Sequence, residues 1–353
     1  MEGTTRELRL CIAGRLGKKN LDEITNTILS RNRRCEFLEE PFLRMQEQRG
    51  KEYPIAVVRV IPFKKKRLMN FGGVCMDNKL ILDGNVVSKD IREGLKPRIQ
   101  ALTAKGIVPC LATILVGEDP SSATYVKMKG NACERLGIQS ERIHLPKETT
   151  TDELLQVINE LNANPSVHGI LLQHPVPAHV DERKAFEAIS IEKDVDGVTS
   201  WGYGQTALGF GLYPSCTPAA IMEIIQYYKV NLEGKHAVVI GRSPILGKPV
   251  SALLLNANAT VTTCHSYTKN LPEYLAQADI VVAAIGKPEF IKGDWLKEGA
   301  VVLDAGYNPG NVGDVEYETC YKKASAITPV PGGVGPVTIS MLLKHTVDAA
   351  ERR

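Results

Sequence analysis

The chain has 353 residues, 43% of them hydrophobic and 24% charged, enough to bury a sizeable core and to divide into two domains. Its 43 Lys and Arg stand against 40 Asp and Glu, so a formal charge of +3 gives no global reason to expect nucleic acid or an acidic membrane surface, and small-molecule ligands are favoured. The eight cysteines contain no CxxC pair, no run of about 18 apolar residues offers a membrane span, and the start MEGTTRELRL lacks the apolar core of a secretory signal. Reduced thiols in a cytoplasmic protein fit this pattern.

Residues 1–75 read as a leader rather than a domain. Arg-rich patches (Arg31 to Arg34, Lys64 to Arg67) interrupt short apolar pieces, and no long periodic element is visible. The acids Glu2, Glu7, Asp22, Glu23, Glu36, Glu39 and Glu40 argue against a transit peptide. The segment is expected to be disordered or an artefact of start-site choice. Gly72-Gly73 lie just upstream of Met76, as a translated ribosome-binding stretch would, so the native start is expected at Met76.

From Met76 the elements alternate. LILDG (80–84) predicts a short strand and turn, residues 88–106 a helix ended by Gly106, CLATILVG (110–117) a buried strand, and residues 124–137 and 151–164 two more helices. GILLQ (169–173) is the next strand. This α/β alternation implies a mostly parallel sheet covered on both faces. A second series begins with a helix at 218–228, then strand 236–241, helix 248–258, strand 260–265, a helix near 271–278, and strands 279–286 and 300–306. That order is a dinucleotide-binding half of Rossmann type, and a last helix at 338–352 is expected to return to the first domain. The expected division is therefore 76–217, 218–337, and the terminal helix 338–353 rejoining the first part.

The turn GRSPILGKP (241–249) keeps Gly241 and Gly247 but lacks the G-x-G-x-x-G pattern. It reads either as a tight strand-to-helix connection or as a phosphate site where backbone N–H groups at a helix start meet an anion. At the end of the following strand, where a carboxylate would accept the ribose hydroxyl of NAD, the chain has His265-Ser266. With Arg242 and Ser266 able to donate, a 2′-phosphate and therefore NADP is favoured.

Tyr125 and Lys129 form a Y-x-x-x-K pair whose spacing puts both on one helical face, although a lone helical lysine is ordinarily a solvated charge. Short-chain dehydrogenases use such a pair, but there the glycine-rich turn precedes it, whereas here it follows by more than a hundred residues. Gln173 ends an apolar strand in LLQHPVP (171–177), where open α/β sheets place ligands, or it caps that strand. Asp194 and Asp196 in KDVDGVT (193–199) are site candidates or turn formers, and TPVPGGVGPVT (328–338) is a site loop or plain punctuation. His174, His179 and His265 lack metal-ligand spacing, so no metal is expected.

In combination, YVKMK, LLQHPVP, KDVDG, PSCTP (214–218), GRSPILGKP, ATVTTCHS (259–266) and TPVPGGVGPVT are far more specific. In order and spacing the chain resembles the bifunctional methylenetetrahydrofolate dehydrogenase/methenyltetrahydrofolate cyclohydrolase family over residues 77–352. The resemblance implies a catalytic domain and a Rossmann-type NADP-binding domain flanking a cleft, joined into homodimers through the Rossmann-type domains. It implies oxidation of 5,10-methylenetetrahydrofolate with NADP and hydrolysis of the product to 10-formyltetrahydrofolate.

Carried onto this sequence, the resemblance makes Lys129 the catalytic lysine, Tyr125 the residue stacking on the pterin, Gln173 the residue orienting the lysine, and Asp196 the pterin-binding carboxylate. Pro331, Gly332 and Gly333 would join them around the tetrahydrofolate derivative. Thr217, Gly241, Arg242, Ser243, Gly247, His265 and Ser266 would hold NADP. The sequence departs from the family at His174, where many members carry an apolar residue. The competing readings are another two-domain NADP dehydrogenase, such as a shikimate-type enzyme, and a catalytically inactive NADP- or folate-binding protein.

Overall fold

The computed structural model describes residues 6–10, 42–48, 51–60, 75–76 and 79–352. It comprises two compact units, Met1–Phe71 and Gly72–Arg353. In the first, β1 (Arg6–Leu10), β2 (Phe42–Gln48) and β3 (Lys51–Val60) form an antiparallel sheet in the order β1-β3-β2. This differs from the expectation of a leader without regular elements. The β-branched run in KEYPIAVVRV suits a pleated strand even though basic patches surround it.

The second unit starts with β4 (Cys75–Met76) and β5 (Lys79–Ile81), followed by α1 (Gly84–Ala104). Next come β6 (Cys110–Val116), α2 (Pro120–Leu136), β7 (Gln139–Leu145), α3 (Thr151–Ala163) and β8 (Gly169–Leu172). Strands β7-β6-β8 make a three-stranded parallel sheet. Every residue of β6 and β8 is buried, as continuous apolar runs in a covered parallel sheet require. β7 is an edge strand with charged, partly exposed positions, and its sequence QSERIHL carries too little apolar signal to announce it. Asp119 and Thr150 cap α2 and α3 by accepting backbone N–H bonds, and Thr150 with Glu153 closes a capping box.

Short helices α4 (Glu182–Glu187) and α5 (Ser200–Ala207) precede α6 (Cys216–Tyr227). The second series is β9 (His236–Ile240), α7 (Gly247–Asn256), β10 (Thr260–Cys264), α8 (Leu271–Leu275), β11 (Ile280–Ala283), β12 (Val301–Asp304), α9 (Tyr317–Lys323), β13 (Ala326–Ile327) and α10 (Val334–Glu351). Its strands form a seven-stranded sheet in the order β10-β9-β11-β12-β13-β5-β4. All neighbours pair in parallel except β4 with β5.

The strand at Lys79–Ile81, expected within the first series, pairs instead with β13, through Leu80 with Ala326 and Ile81 with Ile327. The second unit thus passes through the dinucleotide-binding sheet before building the first domain. A three-residue apolar run fits either sheet, and only a partner more than two hundred residues away decides between them. The terminal helix begins at Val334, four residues before the expected 338, and packs against α1 and α6. Its buried face includes Val337, Leu342, Leu343 and Val347 in one core with Leu95, Ile99, Ile221 and Ile224. Among the described residues no helix is long and apolar enough to cross a membrane.

Candidate active site

In parallel sheets the carboxyl edges hold ligands. The carboxyl end of β6 leads into α2, which carries Tyr125 and Lys129, and the end of β8 carries Gln173. Gln173 is buried, and its N–H extends the sheet by donating to the Ile114 carbonyl at 2.8 Å. Its side chain is committed at both ends: Lys129 Nζ donates to Gln173 Oε1 at 3.1 Å, and Gln173 Nε2 donates to the His174 carbonyl at 2.7 Å. The pair expected from sequence is therefore in contact. His174 itself is half exposed and its Nδ1 lies 2.6 Å from Glu182 Oε1, so its ring is engaged by α4.

One helical turn before Lys129, Tyr125 meets Tyr307 edge to face, with ring centroids 6.0 Å apart at 79°. Tyr307 follows β12, so this contact joins the carboxyl edge of one sheet to that of the other and marks a cleft between them. Burial, and then the neighbouring Tyr307, raises the Tyr125 phenol above its ordinary value. The Tyr125 ring thus stays neutral at physiological pH, an apolar face with a polar tip. Nothing in AGYNPG marked Tyr307 in advance, because its relation to Tyr125 exists only in the folded chain.

KDVDG separates into distinct roles. Lys193 is buried, and its Nζ donates to the Leu161 and Asn164 carbonyls at 2.6 Å each, closing the carboxyl end of α3. Asp194 is buried and accepts from Val198 N at 2.9 Å and Thr199 N at 3.0 Å, the turn-forming role. Burial raises its carboxyl above the ordinary value despite those bonds. Gly197 sits at φ 67°, and a Cβ there would fall 2.5 Å from Ser215 N, so the chain reverses against the start of α6.

Asp196, by contrast, is only partly buried. Its flanking backbone is fixed: His345 Nδ1 donates to the Val195 carbonyl at 2.9 Å, Cys216 Sγ donates to the same oxygen at 3.2 Å, and Cys216 N donates to the Asp196 carbonyl at 3.2 Å. Burial pushes the His345 imidazole below its ordinary value, consistent with a neutral ring that keeps its proton on Nδ1. Burial, followed by the charge of Asp196, pushes the Cys216 thiol well up, with Lys129 opposing.

The β9–α7 turn is closed by two glycines. Gly241 has φ 127°, and a Cβ there would lie 2.1 Å from the Ala284 carbonyl oxygen; at Gly247 it would lie 2.2 Å from the Gly241 oxygen. Only glycines let the strand end, the turn and the helix start close this tightly. Ser243 ties the turn to the amino end of α7: its Oγ accepts from Gly247 N at 3.3 Å and its carbonyl from Lys248 N at 3.1 Å. Arg242 is exposed with its guanidinium 5.7 Å from the Tyr267 ring centre, and Tyr267 lies beside His265 at 6.2 Å. Arg242, His265, exposed Ser266 and Tyr267 thus gather at the carboxyl ends of β9 and β10.

Two groups of expected residues have other partners. Thr217, in the first turn of α6, receives a bond from Thr338 Oγ1 at 3.5 Å, tying α6 to α10 rather than to the β9–α7 turn. Gly332 O accepts from Gly84 N at 2.8 Å, so the Pro331–Gly333 loop is fastened to the start of α1 rather than to the Lys129–Gln173 pair.

Sequence reasoning missed two buried acids of the second domain. Asp314 accepts from Ile285 N at 2.6 Å, Gly286 N and Lys287 N at 2.9 Å each, and Asn308 Nδ2 at 3.0 Å, ordering the loop after β11. Asp304 accepts from Gly306 N at 2.9 Å and from Asp314 N and Val315 N at 3.0 Å, and burial pushes its carboxyl up to about 6. Together they build the loop that presents Tyr307. A lone Asp at a strand end in VVLDAG was the only available signal. Among the described residues no cluster of His, Cys, Asp and Glu is arranged to hold a metal ion.

Known proteins share the sequence and fold of the two domains. The profile for the tetrahydrofolate dehydrogenase/cyclohydrolase catalytic domain matches residues 82–196, and that for the NAD(P)-binding domain of the same family matches residues 215–353. The bifunctional protein FolD of Shouchella clausii (strain KSM-K16) is 69% identical over 277 residues, covering 78% of this chain and 99% of the relative. The FolD methylenetetrahydrofolate dehydrogenase/cyclohydrolase of Campylobacter jejuni superposes with a TM-score of 0.76 at 48% identity, over 77% of this chain and 99% of that one. The Trypanosoma brucei enzyme, solved with NADP cofactor and an inhibitor, gives 0.75 at 38% identity, over 78% and 98% of the two chains. With a catalytic domain and an NAD(P)-binding domain matching in sequence and in shape, the chain belongs to the tetrahydrofolate dehydrogenase/cyclohydrolase family.

Proposed function

We propose that the chain oxidises 5,10-methylenetetrahydrofolate to 5,10-methenyltetrahydrofolate with NADP and then hydrolyses that product to 10-formyltetrahydrofolate, both in the cleft between Tyr125 and Tyr307. The observation that carries this reading is the Lys129 amine held at 3.1 Å by a Gln173 side chain whose other end is also bonded. A solvated surface lysine needs no such clamp.

Tyr125 supplies an aromatic face for the pterin, and Asp196, with its backbone pinned by His345 and Cys216, accepts the pterin's paired N–H groups. The closely packed glycine turn suits the near approach of a dinucleotide, and exposed Arg242 suits its 2′-phosphate. NADP, when bound, supplies the acceptor for the hydride leaving the methylene carbon. What the residues contribute to that step is alignment, since ring nitrogen lone pairs stabilise the methenyl cation as it forms.

Hydrolysis asks for more. Water adds to the methenyl carbon and loses one proton; the resulting hydroxyl then gives up its proton as its oxygen becomes the formyl carbonyl, the bond from that carbon to N5 breaks, and N5 keeps the electron pair and takes up a proton. Lys129 is the group positioned to relay that proton, and Gln173 fixes its direction. Exposed Leu255 on α7, together with exposed Trp201, Leu208 and Phe210 in and just after α5, the first-domain helix packed against α7, supports assembly into a homodimer involving the dinucleotide-binding domain, and the described free cysteines support a cytoplasmic protein.

Asp196→Ala tests the substrate anchor. Both activities should fall together, with NADP binding unchanged. Loss of one activity alone would reject Asp196 as the shared anchor.

A further inference from the structure

The amide of Gln173 can serve Lys129 only in one orientation. Its carbonyl end must face the ammonium; flipped, its NH2 group would point at a cation and the hydrogen bond would be lost. What selects the orientation is the His174 carbonyl, which accepts from Gln173 Nε2 at 2.7 Å. That carbonyl belongs to a proline-containing turn, and the turn is gripped from outside by one carboxylate. Glu182 Oε1 accepts from His174 Nδ1 at 2.6 Å and from Val176 N at 3.2 Å, bracketing Pro175.

Glu182 stands on a fixed base. It opens α4, whose Ala185 and Phe186 are buried in the core of the first domain. Asp181 N donates to Thr151 Oγ1 at 3.0 Å, and His179 Nε2 lies 3.0 Å from the Thr149 carbonyl, tying the same stretch to the start of α3. A chain of four hydrogen bonds therefore runs from an anchored helix to the Lys129 amine: Glu182 to His174 and Val176, the His174 carbonyl to Gln173, and Gln173 to Lys129. An isolated surface ion pair contributes little to stability, so the significance of the Glu182 bridge lies in where its turn points.

We propose that Glu182, acting through His174 and Val176, is a positioning residue for the Gln173–Lys129 pair and thereby sets the hydrolytic rate relative to the dehydrogenase rate. This rests on the reading of Lys129 and Gln173 as the hydrolytic pair. The histidine between Gln173 and Pro175 is then the handle by which α4 holds the turn.

The test compares Glu182→Leu, Glu182→Gln, Gln173→Ala and the double variant Glu182→Leu/Gln173→Ala in separate dehydrogenase and cyclohydrolase assays, with the KM for NADP as a reference. Glu182→Leu should lower cyclohydrolase kcat roughly fivefold to tenfold, the scale of one ordinary hydrogen bond, while dehydrogenase kcat and the KM for NADP stay within about twofold. Glu182→Gln keeps an oxygen acceptor and should restore most of the hydrolytic rate. The double variant should be no slower in hydrolysis than Gln173→Ala, because the two residues act in series.

Equal loss of both activities in Glu182→Leu, or losses that multiply in the double variant, would overturn the proposal. If Gln173→Ala slows hydrolysis and Glu182→Leu does not, the proposal fails while the Lys129–Gln173 reading survives. If Gln173→Ala leaves hydrolysis unchanged, both fall. Should Glu182→Leu be insoluble, His174→Ala, which removes one of the two bonds to Glu182, should slow hydrolysis about threefold, and an unchanged rate there would equally reject the proposal.

Discussion

Lys129→Met preserves the length and apolar stem of the side chain and removes only the amine. In the folded protein that amine makes its bond to Gln173 Oε1 at 3.1 Å, in a partly buried setting. Losing it leaves an amide oxygen unpaired, about 1 kcal/mol of stability at most because the cleft admits water, and a shift in Tm of a few degrees. The effect on hydrolysis should be much larger. A positioned proton-transfer group contributes about 10²-fold or more, close to 3 kcal/mol of barrier, and among the described residues the amine bonded to Gln173 is that of Lys129. Hydride transfer depends on alignment by Tyr125 and Asp196, so some dehydrogenase activity should persist and methenyltetrahydrofolate should accumulate. The assay follows methenyl absorbance against appearance of the 10-formyl product. If the Lys129→Met variant hydrolyses methenyltetrahydrofolate at the unmodified rate, the assignment of Lys129 is refuted.

Arg242→Ala should raise the KM for NADP roughly tenfold or more and leave the kinetics with NAD little changed, since one charged hydrogen bond contributes about 1.5–3 kcal/mol; equal effects on both cofactors would assign Arg242 to the pyrophosphate or the fold. Removing residues 1–75 should leave a soluble, active enzyme, although the cut takes Cys75 from its pairing with Leu80; loss of soluble protein would show that the leader supports the fold. Asp304 should make stability pH-dependent. Its folded value near 6 lies above the unfolded carboxylate value, so its contribution is fully present below about pH 4 and is lost as pH rises through 6. On lowering pH from 7 to 5, the intact protein should gain about 1 kcal/mol relative to Asp304→Asn in denaturant titrations, and a constant difference would contradict the burial argument.

The parts legible in the sequence were those carried by local pattern. Apolar runs such as ILLQ and AVVI announced buried parallel strands, and the spacing of Tyr125 and Lys129 announced a shared helical face. The four residues given roles at the folate site became recognisable only as a set of motifs, because Gln173 or Asp196 alone reads equally well as a cap or a turn. What stayed hidden depends on partners distant in sequence. Leu80 and Ile81 carry no mark of the sheet they join, β7 has the composition of a polar edge, and Tyr307 gains meaning only opposite Tyr125. Asp194 and Asp196 differ by two positions and not at all in chemistry. Burial and the Val198 and Thr199 N–H groups make Asp194 structural and leave Asp196 partly exposed.

The most direct test of the account is the unmodified enzyme with 5,10-methylenetetrahydrofolate, given NADP and NAD in parallel while methenyl absorbance and the 10-formyl product are followed together. The account predicts methenyl formation with a clear preference for NADP, followed by its conversion to 10-formyltetrahydrofolate without any added catalyst. Binding of folate and NADP with no methenyl signal from either cofactor would contradict it.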